Sequence, residues 1–336
     1  MIQVHAIDYH TAGEPFRIVT SSMPEIPGDT VADRRMHAAK SEELDRVRRL
    51  LCHEPRGHAD MYGCFLVPPD DGGADSGVLF WHKDGFSTAC GHGTIALATW
   101  MVETGRITAA PDSVTELAFD VPSGRVVARV ARVGGQVRSV TFRNVASYVL
   151  ARAVPVDTRR GTVQADLAYG GAVYAAVEAK SAGLAVEPVH YQDLIAVGRE
   201  IKWALNDTPA AQHPSDPRLS GVYGTIWYDD LGDTEEGIHQ RNVTVFADGE
   251  VDRSPCGSGT AARVALLADE GRLAAGKVLV HESIIGTRFV AWVAEETVAE
   301  GRPAVVADVR GTAHRTGEHV FVLDPRDDLQ SGFVLR

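Results

Sequence analysis

A chain of 336 residues with 44% hydrophobic and 23% charged residues has room for two ordinary domains, each with its own core. A formal net charge of −12 argues against nucleic acid or an anionic membrane as a general partner. The opening MIQVHAIDYHTAGEP lacks the basic and apolar regions of a signal peptide, and the apolar runs fall short of the roughly 18 residues of a membrane span, so a cytoplasmic location is expected.

Strand patterns dominate. In chain order, apolar alternation and flanking Gly, Asp and Pro predict strands at 2–7, 16–20, 78–81, 117–121, 125–132, 137–144 and 171–179. The second half adds 224–228, 241–246, 277–281, 289–294, 304–309 and 319–323. One long surface helix is expected at 30–52, with Met36, Leu44, Val47 and Leu51 on its apolar stripe. Further helices are expected at 91–104, 191–205 and 257–270, with Gly105 and Gly271 as their C-terminal punctuation in the first and last of these. Residues 206–221, rich in Pro, Ser and Asp, read as a long surface loop. The first domain is expected over 1–150, rejoined by 315–336, and the second over 151–314.

The main internal feature is a repeated segment. STACGHGTIALATWMVETGRI at 87–107 matches RSPCGSGTAARVALLADEGRL at 253–273 at a constant offset of 166. Cys90 aligns with Cys256, Gly91 with Gly257, Gly93 with Gly259, Thr94 with Thr260, Ala96 with Ala262 and Gly105 with Gly271. Each half thus carries one cysteine just before a Gly-rich helix start. Free N–H groups in the first turn make such a place a carboxylate site. The helix dipole favours negative charge there by up to ~2 kcal/mol. At about 1.4 kcal/mol per pKa unit, that would bring a thiol from ~8.5 to near 7, where it is a working acid or base. Two such groups suit inversion of a carbon: one removes a proton from one face and the other delivers a proton to the opposite face. The pair would share one proton and titrate together.

The other two cysteines, Cys52 and Cys64, read as small buried hydrophobes, and free thiols are expected throughout. There is no CxxC pair to suggest zinc.

CGHGT and DRSPCGSGTAAR, with HTAGEP near the N-terminus and EPRGHADMYG at 54–63, resemble the proline racemase family. It includes proline racemases, 4-hydroxyproline 2-epimerases and trans-3-hydroxy-L-proline dehydratases. The resemblance covers nearly the whole chain. It implies an α/β (α+β) fold of two pseudo-symmetric domains like diaminopimelate epimerase, each a curved sheet around a central helix, with the active site in the cleft between them. It implies catalysis with no cofactor, neither pyridoxal phosphate nor metal. Residue by residue, Cys90 and Cys256 match the catalytic cysteines. Gly91, His92, Gly257 and Ser258 match carboxylate-binding positions, and Asp252 matches the acid that contacts the substrate amine. Ala89 stands where many members have Met, and Ser258 where many have Thr. Dehydratase members carry Thr in place of the second cysteine, whereas this chain has Cys256. Its flanks VFADGEVDRSP and HEPRGHADMYG nonetheless look more like the dehydratase-rich branch. The resulting expectation is a racemase or epimerase acting at Cα of proline or a hydroxyproline. Dehydration of trans-3-hydroxy-L-proline with Cys90 as base is the alternative. The expected partner is a small-molecule substrate. The oligomeric state is left open, a homodimer included.

Other clusters carry weaker signals. His53, Glu54, His58 and Asp60 lie close together, but Pro55 breaks the helix that a His-Glu-x-x-His metal site needs. His10 and Glu14 flank an expected turn. Asp252 and Arg253 could form a surface ion pair, and His239, before the strand that leads to Cys256, could reach the cleft or be a solvated loop residue. Five tryptophans without regular spacing (Trp81, Trp100, Trp203, Trp227 and Trp292) are expected in the core.

Overall fold

The computed structural model describes residues 2–21, 23–274 and 276–335. The chain divides into two compact units, Met1–Val140 with Thr312–Arg336, and Thr141–Gly311.

The first unit begins with β1 (Ile2–Thr11) and β2 (Glu14–Val19), joined by a tight turn at Ala12 and Gly13, both at positive φ. Two helices follow, α1 (Val31–Ala38) and α2 (Glu42–Cys52). They replace the single helix expected over 30–52. Ser41 is the reason: it is extended, and its Oγ accepts from Leu44 N, capping a new helix. Glu42, Glu43 and Asp45 then occupy the first turn of α2, where the dipole favours them. Next come β3 (Gly63–Val67), β4 (Ser76–His82), β5 (Gly85–Phe86), α3 (Gly91–Glu103), β6 (Ser113–Val121) and β7 (Gly124–Val133). Strand β8 (Gln136–Thr158) carries the chain across the boundary between the units.

The second unit continues through β9 (Gly161–Tyr169), β10 (Val173–Glu178), α4 (Tyr191–Leu205), β11 (Val222–Asp233), β12 (Gly237–Phe246) and β13 (Glu250–Asp252). Helix α5 (Gly257–Asp269), β14 (Val278–Ser283), β15 (Arg288–Ala299) and β16 (Arg302–Gly311) complete it. The final strand, β17 (Ala313–Leu323), belongs to the first unit, where it pairs antiparallel with β1 from Ile2↔Leu323 to Thr11↔Ala313.

In the first unit, β1 also pairs antiparallel with β2, β2 parallel with β3, β3 antiparallel with β4, β4 parallel with β6, and β6 antiparallel with β7. Of these strands β1, β2 and β7, with β17, pack on α3, which is buried from Gly91 to Val102. Such a helix, apolar all round, is stable only inside a core. Tyr9 Oη donates to Glu103 at 2.8 Å and ties the end of α3 to β1.

In the second unit the antiparallel pairs β8–β9, β9–β10, β11–β12, β14–β15 and β15–β16 join the parallel pairs β10–β11 and β12–β14. Pairing of β16 with β8 closes the ring. Helix α5 packs on β9, β10, β15 and β16 and is buried from Gly257 to Leu267. Helix α4 is amphipathic and covers β11 and β12 with Leu194, Val197, Ile201 and Leu205. Both cysteine-led helices end at a glycine in the left-handed region, Gly105 at φ 70° and Gly271 at φ 71°, as a C-terminal helix stop requires.

Two expectations need correcting. The 206–221 segment is not purely irregular: it holds two short 3₁₀ turns, Pro209–Ala211 and Pro217–Leu219, and buries Ala211. Of the tryptophans, Trp81, Trp100 and Trp227 are fully buried, but Trp203 is 52% exposed. Its Nε1 donates to Asp248 at 2.9 Å and its face carries the Lys202 ammonium, so a polar edge holds it at the surface.

Candidate active site

Each unit presents a cysteine as the N-cap of its central helix. In the first unit Cys90 is extended (φ −156°, ψ 101°), and its Sγ accepts from Gly93 N at 3.2 Å. An N–H aimed at sulfur stabilises a thiolate. The His92 ring nitrogens lie 3.5 and 3.6 Å from Sγ, so imidazole and thiol can share a proton. Cys90 is only 5% exposed.

The support for His92 comes from the two N-terminal motifs. Thr11 Oγ1, from HTAGEP, donates to the His92 carbonyl at 2.9 Å. Tyr62, from DMYG, and Phe16 meet the imidazole edge-on at 5.0 and 5.8 Å between centroids. Tyr62 Oη is itself bonded to Ser87 Oγ. Gly93 must lack a side chain: a Cβ there would come within 2.4 Å of the Phe16 ring and 2.8 Å of Cys90 Sγ.

In the second unit Cys256 is 6% exposed and has φ 63°, ψ 113°. Its sulfur lies over Gly259, where a Cβ would approach within 2.9 Å. Tyr174 Oη is 3.8 Å from Sγ and 2.7 Å from Ser258 Oγ. Asp252 is buried at the end of β13, and its Oδ1 accepts from Ser254 N at 2.8 Å. Asp252 is therefore not a surface residue, and the neighbouring Arg253 Nη1 donates to the Val251 carbonyl at 3.1 Å.

A helix dipole acting alone would bring both thiols to about 7. At Cys256 the shift goes the other way: burial pushes the thiol well up, and the Asp252 carboxylate adds to it. Hydrogen bonds from Gly259 N, Tyr174 and Thr244 oppose the rise without cancelling it. Desolvation of a buried thiolate outweighs one helix terminus. Cys64 is likewise raised by burial, as an inert core thiol should be.

The named site residues therefore fall into two local groups. Cys90, Gly91 and His92 form one at the start of α3, and Cys256, Gly257, Ser258 and Asp252 form the other at the start of α5. Residue patterns did not reveal Tyr174, because a tyrosine in a buried strand reads as core. His239 is not a loop residue: it sits in β12, with Nε2 3.3 Å from Glu282. His53 caps the end of α2.

Comparison with known proteins gives the context. The family model described as proline racemase matches residues 6–334. The chain is 45% identical over 332 residues to a trans-3-hydroxy-L-proline dehydratase of Bacillus cereus, covering 98% of this chain and 97% of that protein. It is 46% identical over 331 residues to a 3-hydroxyproline 2-epimerase of Burkholderia multivorans, with the same coverage. Its structure is similar to a hydroxyproline epimerase from Agrobacterium vitis with bound trans-4-hydroxy-L-proline. There the TM-score is 0.91 at 32% identity, over 99% of this chain and 95% of that one.

Proposed function

The chain belongs to the proline racemase family, and on that premise we propose that it inverts Cα of proline or a hydroxyproline by proton transfer between two thiols. The observation that carries this reading is a cysteine at the buried N-terminus of both central helices. The relative named 3-hydroxyproline 2-epimerase puts 3-hydroxyproline first among substrates to try.

In this reading each half-domain supplies one thiol. The substrate carboxylate is held by the N–H groups of Gly91, His92, Gly257 and Ser258, whose charge suits an anion. Asp252 takes the ammonium, whose positive charge acidifies the Cα proton. Cys90 acts as base, helped by Gly93 N–H and His92. Cys256, whose burial and acidic neighbour keep it protonated, delivers a proton to the opposite face. The reverse reaction exchanges the roles. Among the described residues no helix is long and apolar enough to cross a membrane, and a cytoplasmic place of work is part of the proposal.

Incubation in D2O with both enantiomers of proline and with the 3- and 4-hydroxyprolines tests it. The expected result is deuterium at Cα and appearance of the opposite epimer for at least one of them. No exchange with any would overturn the reading. The second reading, dehydration of trans-3-hydroxy-L-proline, is supported by the relative of that name at 45% identity. It predicts a cyclic imine in place of an epimer, which chiral chromatography and an imine assay distinguish.

A further inference from the structure

The backbone of Cys256 lies at φ 63°, ψ 113°, where residues with a side chain are rare and strained. Such a conformation persists only when its surroundings over-determine it, and here they grip both polar groups of the peptide that precedes it. The Cys256 N–H donates to Ser254 Oγ at 3.0 Å. The preceding carbonyl, Pro255 O, accepts from Asn242 Nδ2 at 2.8 Å and from Thr260 Oγ1 at 3.0 Å. Thr260 Oγ1 in turn lies 2.8 Å from His281 Nδ1. Asn242, Ser254, Thr260 and His281 are all fully buried.

The hydroxyl arithmetic assigns the histidine tautomer. Thr260 has one hydroxyl proton, and it goes to Pro255 O, so the hydrogen between Thr260 and His281 comes from Nδ1. Nε2 is then the bare nitrogen, and it has no hydrogen-bond partner among the described residues. Burial holds the imidazole pKa down at about 3, with the positive Arg263 adding to the effect, so no second proton arrives at neutral pH.

The matching position in the first unit behaves differently. Thr94 aligns with Thr260, but its Oγ1 donates to the carbonyl of Cys90 itself at 2.8 Å, the ordinary bond one turn back. Cys90 is extended and needs no clamp. The same threonine therefore serves an ordinary helix start in one copy and a strained one in the other.

We propose that His281, acting through Thr260, together with Asn242 and Ser254, are positioning residues for Cys256: they hold the Pro255–Cys256 peptide group by both its carbonyl and its N–H so that the sulfur stays over Gly259 beside Tyr174. The functional meaning rests on the proposed proton-transfer role of Cys256, but the first readout does not use that role.

The experiment compares wild type with His281→Leu, which removes the donor, and His281→Asn, whose amide keeps a donor at the place of Nδ1. Iodoacetamide alkylation of Cys256 and Cys90 is followed separately by peptide mass spectrometry across pH, using the full chain. In His281→Leu the Cys256 rate changes about fivefold or more, Cys90 is unchanged, and His281→Asn follows wild type. In turnover, kcat of His281→Leu falls roughly 10- to 100-fold, as expected for a displaced reacting group, with KM within about threefold of wild type. An unchanged Cys256 profile in His281→Leu, equal change at both cysteines, or equal loss in the Asn variant would overturn the inference. If His281→Leu does not fold, Ser254→Ala makes the same test from the N–H edge of the same peptide group. Normal inversion by Cys256→Ser would instead refute the proposed function and leave the alkylation result standing.

Discussion

Cys90 and Cys256 share a motif, a helix register, a degree of burial and a hydrogen bond from the glycine N–H three residues on, yet they differ in backbone conformation and in the side chains around the sulfur. Cys90 is extended and meets an imidazole and a helix N–H. Cys256 is in the left-handed region and meets a tyrosine hydroxyl, with a buried carboxylate close enough to raise its pKa. The difference teaches that a duplicated helix start fixes where a thiol stands. The strands packed around it decide which proton state it favours. Under the proposed two-thiol mechanism this division would be an advantage, because a pair of identical sites would have no preferred direction for a shared proton.

The largest test of the comparison is chemical. Cys90→Ser and Cys256→Ser should each lower Cα inversion by about 10³-fold or more, within the range for loss of a general acid or base, measured by chiral chromatography. A fully active single variant would break the pairing.

Steric substitutions come next. Gly93→Ala places a methyl against both the Phe16 ring and Cys90 Sγ, whereas Gly259→Ala meets Cys256 and, at 3.3 Å, Ile226. Both should cost roughly 1–3 kcal/mol in urea unfolding, the range for overpacking a core, with Gly93→Ala the more damaging. Equal losses would mean that the aromatic wall at the first site yields as easily as the aliphatic one at the second.

The pH dependence sharpens the contrast on the Cys256 side. The His281 pKa is lowered to about 3 from 6.5. The unfolded chain therefore takes that proton first, and stability present above 6.5 is lost as pH falls from there toward 3. His281→Asn lacks this titration, so its melting temperature should fall less than that of wild type between pH 7 and pH 4. The Cys256 thiol has the opposite sign: raised above its ordinary 9.0, it gives stability present below that value and lost as pH rises beyond it. Cys256→Ala should flatten this alkaline limb.

The smallest effect concerns backbone strain. Glycine is a better N-cap than alanine at any helix, so the informative quantity is an excess. The stability of Cys256→Gly over Cys256→Ala should exceed that of Cys90→Gly over Cys90→Ala by about 1 kcal/mol. Calorimetry on the four variants reads it directly, and equal differences would remove the case for a strained Cys256.

Much of the fold was legible before any coordinates. The helices after each cysteine and the one at Tyr191–Leu205 lie within a residue of expectation, because an apolar run bounded by glycine has few other solutions. Most strands were found, but too short: β8 runs for 23 residues, where alternation marked only 137–144. Its bulges between Val149 and Val154 disturb the period that pattern reading needs. Strands β3 and β9 and the very short β5 and β13 were missed. GCFLV is nearly all buried, so it shows no alternation. The split between α1 and α2 turned on one serine, whose capping role a continuous apolar stripe concealed.

Sequence alone determined the family, the two cysteines and the helices they cap, because these follow from local spacing repeated at a fixed offset. Tertiary structure decided the character of each thiol. Tyr174 is 82 residues from Cys256 and Tyr62 is 30 from His92, and no local pattern records that they meet. It also reversed the expected shift at Cys256. A helix dipole can be read from sequence, but the desolvation that outweighs it depends on how completely the neighbouring strands exclude water.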